Sequence, residues 1–597
     1  MRIKLAGLCL MVSALPAAAQ LTTEQRVQDF QQLTSLYARY YAPAQWKAVA
    51  LGRNIFDVAP YIQRVRAAKS DLEYLEICGE WVISLRDGHS EFDVNSDFQI
   101  YLGFDVDLYD GKYLIDFVDR RAYPVARFPF TTGDELVSID GRPAAALAKD
   151  LNRLVGLAND RGDARWAGYL LTFRPQAYFP RAPEMPEQST VVIRRAETGA
   201  EESYQLRWSR FGTPLLNLVP VPGYSAAASV YRAPSTAVNR AREPRSLMPA
   251  RIPLPRPNRP EMDSVEASPD TSGLVGFGSR TPYYSRPDGF TRRRGVGADQ
   301  LYTGVYQSGG FRLGLIRIPT FSQSTVQRNA LLAELSGEIA FMRQNTDGLV
   351  VDVSRNPGGW CSASMVARLT NRPVRIYQTQ YRPNLAEIRD YQESFTFADD
   401  LGAEQWVLDS FTYNLDALTA AAQTPGAMTG GLPACEVPEL TTIGRFGFWG
   451  LADVYPVVQG TDGRPAGYDK PIIVLQDELS MSQAEHFTAM IQDNQIAPVV
   501  GVRSAGLGGF ILSFDAGRYS EGSASVTGGL TERRTVARAP GLPPAPYIEN
   551  IGVIPDVALD SMTRENLLSG YKQFVDGFTK ILVDRIQAAR AAAPPTN

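Results

Sequence analysis

The sequence predicts an α/β multidomain protein, and three stretches with different residue patterns indicate this class. Residues 20–95 carry apolar side chains at helical spacing, which predicts an N-terminal helical region. Residues 97–209 contain paired strand patterns and an Asp-Gly turn, which are typical of a β domain. Residues 301–560 alternate strand and helix patterns, and this alternation favours an α/β core with a parallel sheet.

Length and composition describe an ordinary globular protein of several domains. The chain has 597 residues, of which 44% are hydrophobic and 21% are charged. A net charge of −4 argues against a nucleic-acid partner. The chain has only two histidines, His89 and His486, which disfavours a His-rich metal site. We therefore predict no metal and no cofactor.

The first nineteen residues are typical of a secretory signal peptide. Arg2 and Lys4 precede an apolar stretch, and three alanines end at Ala19, after which we predict cleavage. Leu8 stands where a lipoprotein signal needs a small residue before Cys9. No later segment reaches about 18 uninterrupted apolar residues, so we expect an exported protein without a membrane span, either periplasmic or secreted.

The three cysteines that remain after cleavage are Cys78, Cys361 and Cys435. In an oxidising compartment they allow three pairings, and the residues alone do not decide among them. The pairing of Cys361 with Cys435 would leave Cys78 as a small buried hydrophobe.

The N-terminal helical region ends in a turn that carries one of the two histidines. Asp87 and Gly88 form a turn signal, which places His89 on a loop at the end of an element. A surface or capping histidine is the ordinary interpretation of such a position, because most polar loop residues have no specific role.

A segment of different composition separates the β domain from the α/β core. Between Tyr231 and Pro260 there are seven Pro and seven Arg, without helical or strand periodicity. We predict a flexible or extended linker over residues 222–300.

The α/β core contains a serine at the start of a helix. Residues 471–475 read as a buried strand, a polar turn follows, and Ser480 and Ser482 precede a helical run that ends near Asp493. A helix start offers free N–H groups and the positive end of a dipole, which can hold an oxyanion beside a serine hydroxyl. The alternative is that either serine is only an N-cap, with Glu485 closing a capping box. We also predict an insertion over residues 371–469 and a C-terminal helix within 561–597.

Several motifs resemble those of the C-terminal processing (tail-specific) serine peptidases, in the tricorn-like branch. They are Ser-Met-Ser-Gln-Ala-Glu at 480–485, Gly-Leu-Val-Val-Asp-Val-Ser-Arg-Asn-Pro-Gly-Gly at 348–359, Leu-Arg-Asp-Gly-His-Ser at 85–90 and Glu-Asn-Ile-Gly-Val-Ile-Pro-Asp at 549–556. The resemblance implies a crotonase-like α/β catalytic core over residues 301–560.

The resemblance also implies roles for individual residues. Ser482 would be the nucleophile, His89 the general base and Glu549 the acid that orients the catalytic groups, unless Glu549 only pairs with a nearby Arg. Leu507 stands where many tail-specific proteases have the Lys of a Ser/Lys dyad, so that dyad is absent. His486, four residues after Ser482, is the other candidate base, although it would approach the hydroxyl from behind.

The implied oxyanion hole consists of backbone N–H groups. Gly358 and Gln483 would supply them, with Gly359 as the alternative to Gly358. Glycine at these positions permits close approach of the backbone and unusual dihedral angles.

Residues 97–209 resemble a PDZ domain with an insertion at about 156–188. Leu102, Gly103 and Phe104 would form the loop that captures the C-terminal carboxylate of a peptide, and the groove would add that peptide to a sheet edge. The alternative is a structural PDZ domain whose groove is not open.

Together these features predict an exported serine endopeptidase that cleaves proteins or peptides, recognised in part through their C-termini. Activity is expected to rise with pH as His89 loses its proton. The alternative is a peptide-binding scaffold that has kept the fold and lost catalysis.

Overall fold

The computed structural model of the chain describes residues 20–218, 277–433, 435, 440, 452–520 and 522–592. The predicted signal peptide, residues 1–19, lies outside these residues, and so does the part of the predicted linker from 222 to 276. Within the described ranges, no helix combines the length and the apolar character that are needed to cross a membrane.

Four helices form the N-terminal region: α1 (Thr23–Tyr40), α2 (Ala44–Leu51), α3 (Ala59–Ala67) and α4 (Asp71–Ile83). Phe30 and Tyr37 of α1 pack edge-on against Trp81 of α4. Buried aromatic pairs of this geometry stabilise a fold beyond the area that they bury. They fix the end of α4, from which the loop that bears His89 departs.

A small antiparallel sheet attaches this loop to the far end of the sequence. Strand β1 (Glu91–Asp93) pairs with β22 (Ser523–Thr527), which also pairs with β21 (Ile511–Asp515). Glu91 lies opposite Ser525 in this register. The loop is therefore held between α4 on one side and a strand of the catalytic domain on the other.

The next domain is a β domain with two α-helices. Its elements are β2 (Gln99–Tyr101), β3 (Phe104–Tyr109), β4 (Lys112–Val118), β5 (Glu135–Ile139), β6 (Arg142–Pro143), α5 (Ala144–Leu151), α6 (Asp160–Thr172), β7 (Phe173–Pro175), a 3₁₀ turn (Ala182–Glu184), β8 (Gln188–Arg194), β9 (Glu201–Arg207) and β10 (Ser209–Phe211). The main sheet has the order β3-β4-β5-β8-β9, with β6 beside β5, and a second sheet has the order β10-β2-β7.

A seven-stranded sheet is the centre of the largest domain. Its strands are β11 (Thr291–Arg294), β12 (Tyr302–Ser308), β13 (Phe311–Arg317), β14 (Gly348–Asp352), β19 (Ile472–Gln476), β20 (Val499–Gly501) and β25 (Val557–Ala558), in that spatial order. The strands from β13 to β25 are parallel, as predicted, whereas β11 and β12 run antiparallel, so the sheet is mixed.

Helices cover both faces of this sheet. Val351 and Val474 point towards the face that is covered by α7 (Thr325–Asn345), α8 (Ala363–Ala367) and α11 (Gln483–Asp493). Their neighbours Val350 and Ile473 point the other way, because side chains alternate along a strand. That second face is covered by α13 (Lys572–Ala592), which follows α12 (Arg564–Leu568). Its buried stripe contains Phe574, Phe578, Leu582 and Ile586.

The predicted insertion contains a pair of helices and several short strands. They are β15 (Val374–Arg375), β16 (Gln378–Tyr381), α9 (Leu385–Asp400), α10 (Gln405–Ala422), β17 (Leu432–Pro433) and β18 (Val454–Tyr455). Strand β16 joins the sheet β17-β16-β23-β24, whose last two strands are β23 (Gly529–Ala537) and β24 (Ala545–Tyr547). Residues 434, 436–439 and 441–451 of the insertion lie outside the described residues.

The structure corrects the predicted linker, whose last part is packed against the catalytic domain. The hydroxyl of Tyr284 donates to Asp352 Oδ2 at 2.8 Å, and the guanidinium of Arg355 lies 3.6 Å from the ring centre of Tyr283. Residues 291–294 add strand β11 to the sheet edge. Aromatic side chains supply the apolar surface that makes residues 277–300 part of the domain.

The structure pairs Cys361 with Cys435 in a disulfide, with a Cα–Cα distance of 5.5 Å. Cys78 is buried and unpaired. Among the three pairings that the sequence allows, this one leaves Cys78 in the core of the helical region.

Candidate active site

Ser482 lies at the start of α11 in a strained backbone conformation. Its φ of 52° and ψ of −118° fall in a region that side chains other than glycine rarely adopt. Such outliers cluster at active sites, where the surrounding structure holds them. Ser482 is half-buried, and no hydrogen bond in the described part of the chain uses its Oγ as a donor. The hydroxyl proton is therefore available to a base.

The turn that precedes Ser482 is fixed by a buried carboxylate. Asp477 Oδ1 accepts from the N–H groups of Arg355 (2.9 Å) and Leu479 (3.1 Å). Ser480 is fully buried, and its Oγ donates to the carbonyl of Val353 at 3.0 Å. Of the two serines, Ser480 has the structural role and Ser482 has the accessible hydroxyl.

Glu485 connects the serine to the glycine-rich loop. Its Oε2 accepts from the N–H groups of Ser482 (3.1 Å) and Leu507 (2.8 Å), and its Oε1 accepts from Gly506 N–H (2.7 Å) and Ser504 Oγ (2.6 Å). Burial raises the pKa of Glu485 to about 7. The hydrogen bond from Ser482 is half of the capping box that the sequence predicted, but the same carboxylate also holds the loop that follows β20.

The loop of Gly358 and Gly359 lies against Ser482. A Cβ on Gly358, whose φ is 92°, would stand 2.7 Å from Ser482 Cβ and 2.9 Å from Gln483 N, so only glycine permits this approach. However, the N–H of Gly358 already donates to Asn356 Oδ1 at 2.8 Å. The structure therefore corrects the predicted oxyanion donors at this position.

Two N–H groups remain available for an oxyanion. Gly359 forms a parallel β-bridge with Phe321, in which Phe321 N–H donates to the Gly358 carbonyl and Trp360 N–H donates to the Phe321 carbonyl. The N–H of Gly359 itself therefore points away from that bridge. Among the described residues, neither Gly359 N–H nor Gln483 N–H donates to a protein atom. The alternative that the sequence offered, Gly359, is thus the better partner for Gln483.

The side chain of Gln483 anchors the helix start. Its Nε2 donates to Ser362 Oγ at 2.8 Å, and its Oε1 accepts from the Tyr377 hydroxyl at 3.0 Å and lies 3.1 Å from His486 Nδ1. The ring of His486 lies 4.4 Å from that of Tyr377. Burial lowers the pKa of His486 to about 3. His486 therefore packs behind Gln483, and its Nε2 has no hydrogen-bond partner in the described part of the chain.

His89 is held by its own loop and by β22. Its N–H donates to Asp87 Oδ1 at 2.9 Å, and Thr527 Oγ1 donates to Asp87 Oδ2 at 2.8 Å. Ser525 Oγ donates to the carbonyl of His89 at 2.9 Å. The ring is buried, its Nδ1 has no hydrogen-bond partner within the described ranges, and burial lowers its pKa to about 4. A neutral imidazole with an unpaired nitrogen is suited to accept a proton.

Glu549 lies beside His89. One carboxylate oxygen of Asp87, one ring nitrogen of His89 and one carboxylate oxygen of Glu549 all lie within 4.8 Å of one another. Glu549 Oε2 accepts from Gly508 N–H at 3.1 Å, and its Oε1 accepts from Lys47 Nζ. Burial, and then the charge of Asp87, raise the pKa of Glu549 to about 8. The ion pair that the sequence suggested exists, but its cation is Lys47 and not an arginine.

These three side chains are spaced as metal ligands are, but their surroundings oppose a cation. Lys47 Nζ already binds the Glu549 carboxylate, and its positive charge repels a second cation at this position. Asp87 is committed to His89 N–H and Thr527 Oγ1. The arrangement is better suited to proton transfer.

In the β domain, the loop predicted to bind a peptide carboxylate is buried, and the backbone of Leu102 is bonded within the protein. Leu102, Gly103 and Phe104 are all buried. The N–H of Leu102 donates to the carbonyl of Thr172 at 2.9 Å, and its carbonyl accepts from the Tyr123 hydroxyl at 2.6 Å. The N–H of Leu102 is therefore not free to bind a carboxylate.

Helix α6, from the predicted insertion, packs against β3. Arg165 donates to both carboxylate oxygens of Asp107 in β3, at 3.0 and 2.7 Å. A Cβ on Gly168 would stand only 3.7 Å from Asp107 Cα, so the helix backbone is close to the strand. The sequence did not indicate this contact, because the helix and the strand lie about 60 residues apart.

Comparison with known families agrees with these two domains. Residues 312–559 match the family described as peptidase family S41, and residues 99–215 match the PDZ domain family. Among curated proteins, a protein of Chlamydia trachomatis serovar D is 24% identical over 608 residues, covering 95% of this chain and 94% of that protein. A protein of Chlamydia pneumoniae is 22% identical over 616 residues, covering 97% and 93%.

Solved structures share the fold along nearly the whole chain. Mature CPAF superposes with a TM-score of 0.69 at 19% identity, covering 95% of this chain and 98% of that one. Mature CPAF complexed with lactacystin superposes with a TM-score of 0.67 at 20% identity, covering 95% and 99%. The class is thus a serine peptidase hydrolase with a PDZ domain. Residues 312–559 thus form a peptidase family S41 domain, which confirms the resemblance found in the sequence motifs.

Proposed function

We propose that this chain is an exported serine endopeptidase in which Ser482 is the nucleophile, His89 the general base and Glu549 the orienting acid. The observation that carries the proposal is the meeting of two loops from distant parts of the sequence. The loop of His89 packs on the glycine-rich loop at Leu507, and that loop is bonded through Glu485 to Ser482. The strands from β13 to β25 support the crotonase-like core that we propose for the catalytic domain.

The proposed reaction is acyl transfer to the serine followed by hydrolysis. Ser482 Oγ attacks the peptide carbonyl while its proton passes to the neutral imidazole of His89. The N–H groups of Gly359 and Gln483 bind the oxyanion, and the imidazolium returns the proton to the leaving amine as the C–N bond breaks. Water, deprotonated by His89, then cleaves the acyl-enzyme and releases the acid.

Protein or peptide substrates are proposed to enter at the catalytic domain. The closed state of the Leu102 loop supports recognition of an internal segment over recognition of a terminal carboxylate. One of the similar solved structures is a complex of mature CPAF with lactacystin, so that compound is a suitable ligand to test here.

Export is proposed from the N-terminal sequence. Arg2, Lys4, the apolar stretch and the alanines before Gln20 support a cleaved signal, and the Cys361–Cys435 disulfide agrees with an oxidising compartment. N-terminal sequencing of the chain recovered from outside the cytoplasm tests this directly. A mature chain that starts near Gln20 supports export, and recovery of the full chain only from the cytoplasm contradicts it.

The decisive experiment measures cleavage of an unfolded protein by the chain from residue 20 onwards. Ser482→Ala and His89→Ala are each expected to lower the rate by about 10⁴-fold, which is typical for loss of a nucleophile or its base. Ser35→Ala, a change on an exposed face of α1, is the matched control, and His486→Asn tests the other candidate base. If His486→Asn is inactive and His89→Ala is not, the base is wrongly assigned. If Ser482→Ala cuts as fast as wild type, the chain is not a Ser482 peptidase.

A further inference from the structure

Lys47 lies in α2 and is completely enclosed by protein. The exposed fraction of its side chain is 0%, as is that of Glu549. Its Nζ donates to Glu549 Oε1, to Asn550 Oδ1 at 2.7 Å and to the carbonyl of Arg86 at 2.8 Å. These three acceptors satisfy the three protons of an ammonium group. Lysine is almost never fully buried unless it is paired in this way.

The contacts of Lys47 join two parts of the candidate site. Glu549 and Asn550 lie just after β24 in the catalytic domain. Arg86 lies three residues before His89. Arg86 has a φ of 51°, which directs its carbonyl towards the ammonium at the start of the histidine loop. The neighbouring Trp46 reinforces the contact, because its Nε1 donates to the carbonyl of Glu549 at 3.1 Å.

The groups that face Glu549 would otherwise disfavour its ionised form. Asp87, on the histidine loop, repels a second negative charge, and complete burial removes the solvation of the carboxylate. Tyr41, at the end of α1, faces the same cluster and contributes no positive charge. His89 is neutral. The N–H of Gly508 and the ammonium of Lys47 are the groups that favour the carboxylate. Within the described ranges, Lys47 provides the ion pair of Glu549.

We infer that Lys47 is a positioning residue of the catalytic set: it favours the ionised form of Glu549 and holds the Glu549 side chain against the His89 loop. This inference rests on the proposed function, since the role of Glu549 is defined there. Lys47 does not touch the reacting atoms, so it acts on catalysis only through Glu549 and through the carbonyl of Arg86. The N-terminal helical region thereby becomes part of the active site.

The experiment compares the pH dependence of kcat and KM for wild type and Lys47→Met, which keeps the length of the side chain and removes its charge. An opposite charge within about 4–6 Å shifts a carboxyl pKa by about 1–3 units. In the wild type, kcat is expected to rise with pH as Glu549 ionises. Without Lys47, this rise should move to higher pH by about 1–3 pH units. At pH 8, where about half of Glu549 is ionised in the wild type, this predicts a loss of kcat of about fivefold or more, with KM little changed.

Two control variants make the test specific. Lys69 is an exposed lysine of the same helical region, and Lys69→Met should leave kcat and its dependence on pH unchanged. Lys47→Arg restores the charge and is expected to return the dependence of kcat on pH towards that of wild type. If Lys47→Met has a normal kcat and the rise of kcat with pH is unshifted, the inference is wrong. The proposed function still stands in that case, provided that Ser482→Ala is inactive. Activity that survives in Ser482→Ala overturns both.

A stability measurement covers the case in which Lys47→Met does not fold. Removing one partner of a buried ion pair is strongly destabilising, whereas removing both is far less costly. The double variant Lys47→Met/Glu549→Gln should therefore unfold at higher denaturant concentration than Lys47→Met alone. If the double variant is no more stable than the single one, Lys47 and Glu549 are not coupled and the inference fails.

Discussion

Leu507 packs directly on Gly88, the residue before His89. A Cβ on Gly88 would stand 2.9 Å from Leu507 Cδ2, and Leu507 is fully buried. Leu507 occupies the position where related peptidases with a Ser/Lys dyad have their lysine. In this chain the side chain at that position does not supply a base. It supports the loop that carries His89, the base that we propose.

This contact predicts that Gly88→Ala lowers activity. The added methyl group must displace Leu507 or the histidine loop, and overpacking a buried site costs about 1–3 kcal/mol. We expect kcat to fall by about tenfold or more, because His89 is moved relative to Ser482. Steady-state cleavage of a peptide substrate measures this change.

Two further variants control for a general loss of stability. Gly79→Ala, in α4, places its Cβ 3.8 Å from Leu154 and should cost no activity. The double variant Gly88→Ala/Leu507→Ala makes room for the methyl group and should recover part of the lost rate. An equally slow double variant would show that the contact does not position His89.

Leu507→Lys should not create a Ser/Lys dyad. The side chain at 507 points to Gly88 in a buried apolar site, where an unpaired ammonium costs several kcal/mol. We expect a lower midpoint in denaturant unfolding, whereas Leu507→Met should cost less than about 1.5 kcal/mol. In a His89→Ala background, Leu507→Lys should add no peptidase activity. A gain of activity there would show that the lysine does reach the serine.

The pH dependence of the wild-type enzyme follows from two buried groups. His89 must be neutral to act as a base, and because its pKa is about 4, it is neutral throughout the range above pH 5. Glu549 must be ionised, and its pKa of about 8 means that the ionised fraction grows as pH rises through 8. We therefore expect kcat/KM to increase through about pH 8, because this parameter reports the free enzyme.

The Glu549→Gln variant tests whether Glu549 causes this increase of kcat/KM with pH. Glutamine keeps the shape and cannot ionise, so the variant should be slower and should show no rise near pH 8. The sequence alone predicted a rise caused by His89, but burial moves that titration to about pH 4. A wild-type profile that rises only between pH 6 and 7 would contradict the assignment to Glu549.

The sequence singled out Ser482 and the histidine loop because both lie in short contiguous motifs. It did not reveal Lys47, which is a single charged residue in the octet Ala-Gln-Trp-Lys-Ala-Val-Ala-Leu and finds its partner 502 positions later. The bond of Gly358 to Asn356 was predictable in principle, since Asn often accepts from the N–H two residues further on. Similarly, Tyr283 and Tyr284 distinguish residues 277–300 from the Pro/Arg-rich stretch before them.

The closed β domain predicts that a free C-terminus gives a substrate no advantage. Leu102 N–H is bonded to the carbonyl of Thr172, and α6 packs against β3. Two peptides of one sequence, ending in a carboxylate or in an amide, should therefore have kcat/KM values within about twofold, well below the tenfold that 1.4 kcal/mol provides. A tenfold preference for the free acid would mean that α6 leaves the groove during catalysis.

Reduction of the Cys361–Cys435 disulfide should affect both stability and catalysis. Cys361 lies two residues after Gly359, and its disulfide closes a sequence separation of 74 residues, for which loss of the constraint costs about 4 kcal/mol in the chain-entropy account. We expect Cys435→Ser to lower the unfolding midpoint and to lower kcat more than it raises KM, because the loop that carries the oxyanion donor is less firmly held. Denaturant unfolding and steady-state kinetics with and without a reductant measure both effects.

Cys78→Ala, in the core of the helical region, is the control and should remain sensitive to reductant. A Cys435→Ser enzyme with unchanged kcat would show that Gly359 is held by its bridge to Phe321 alone.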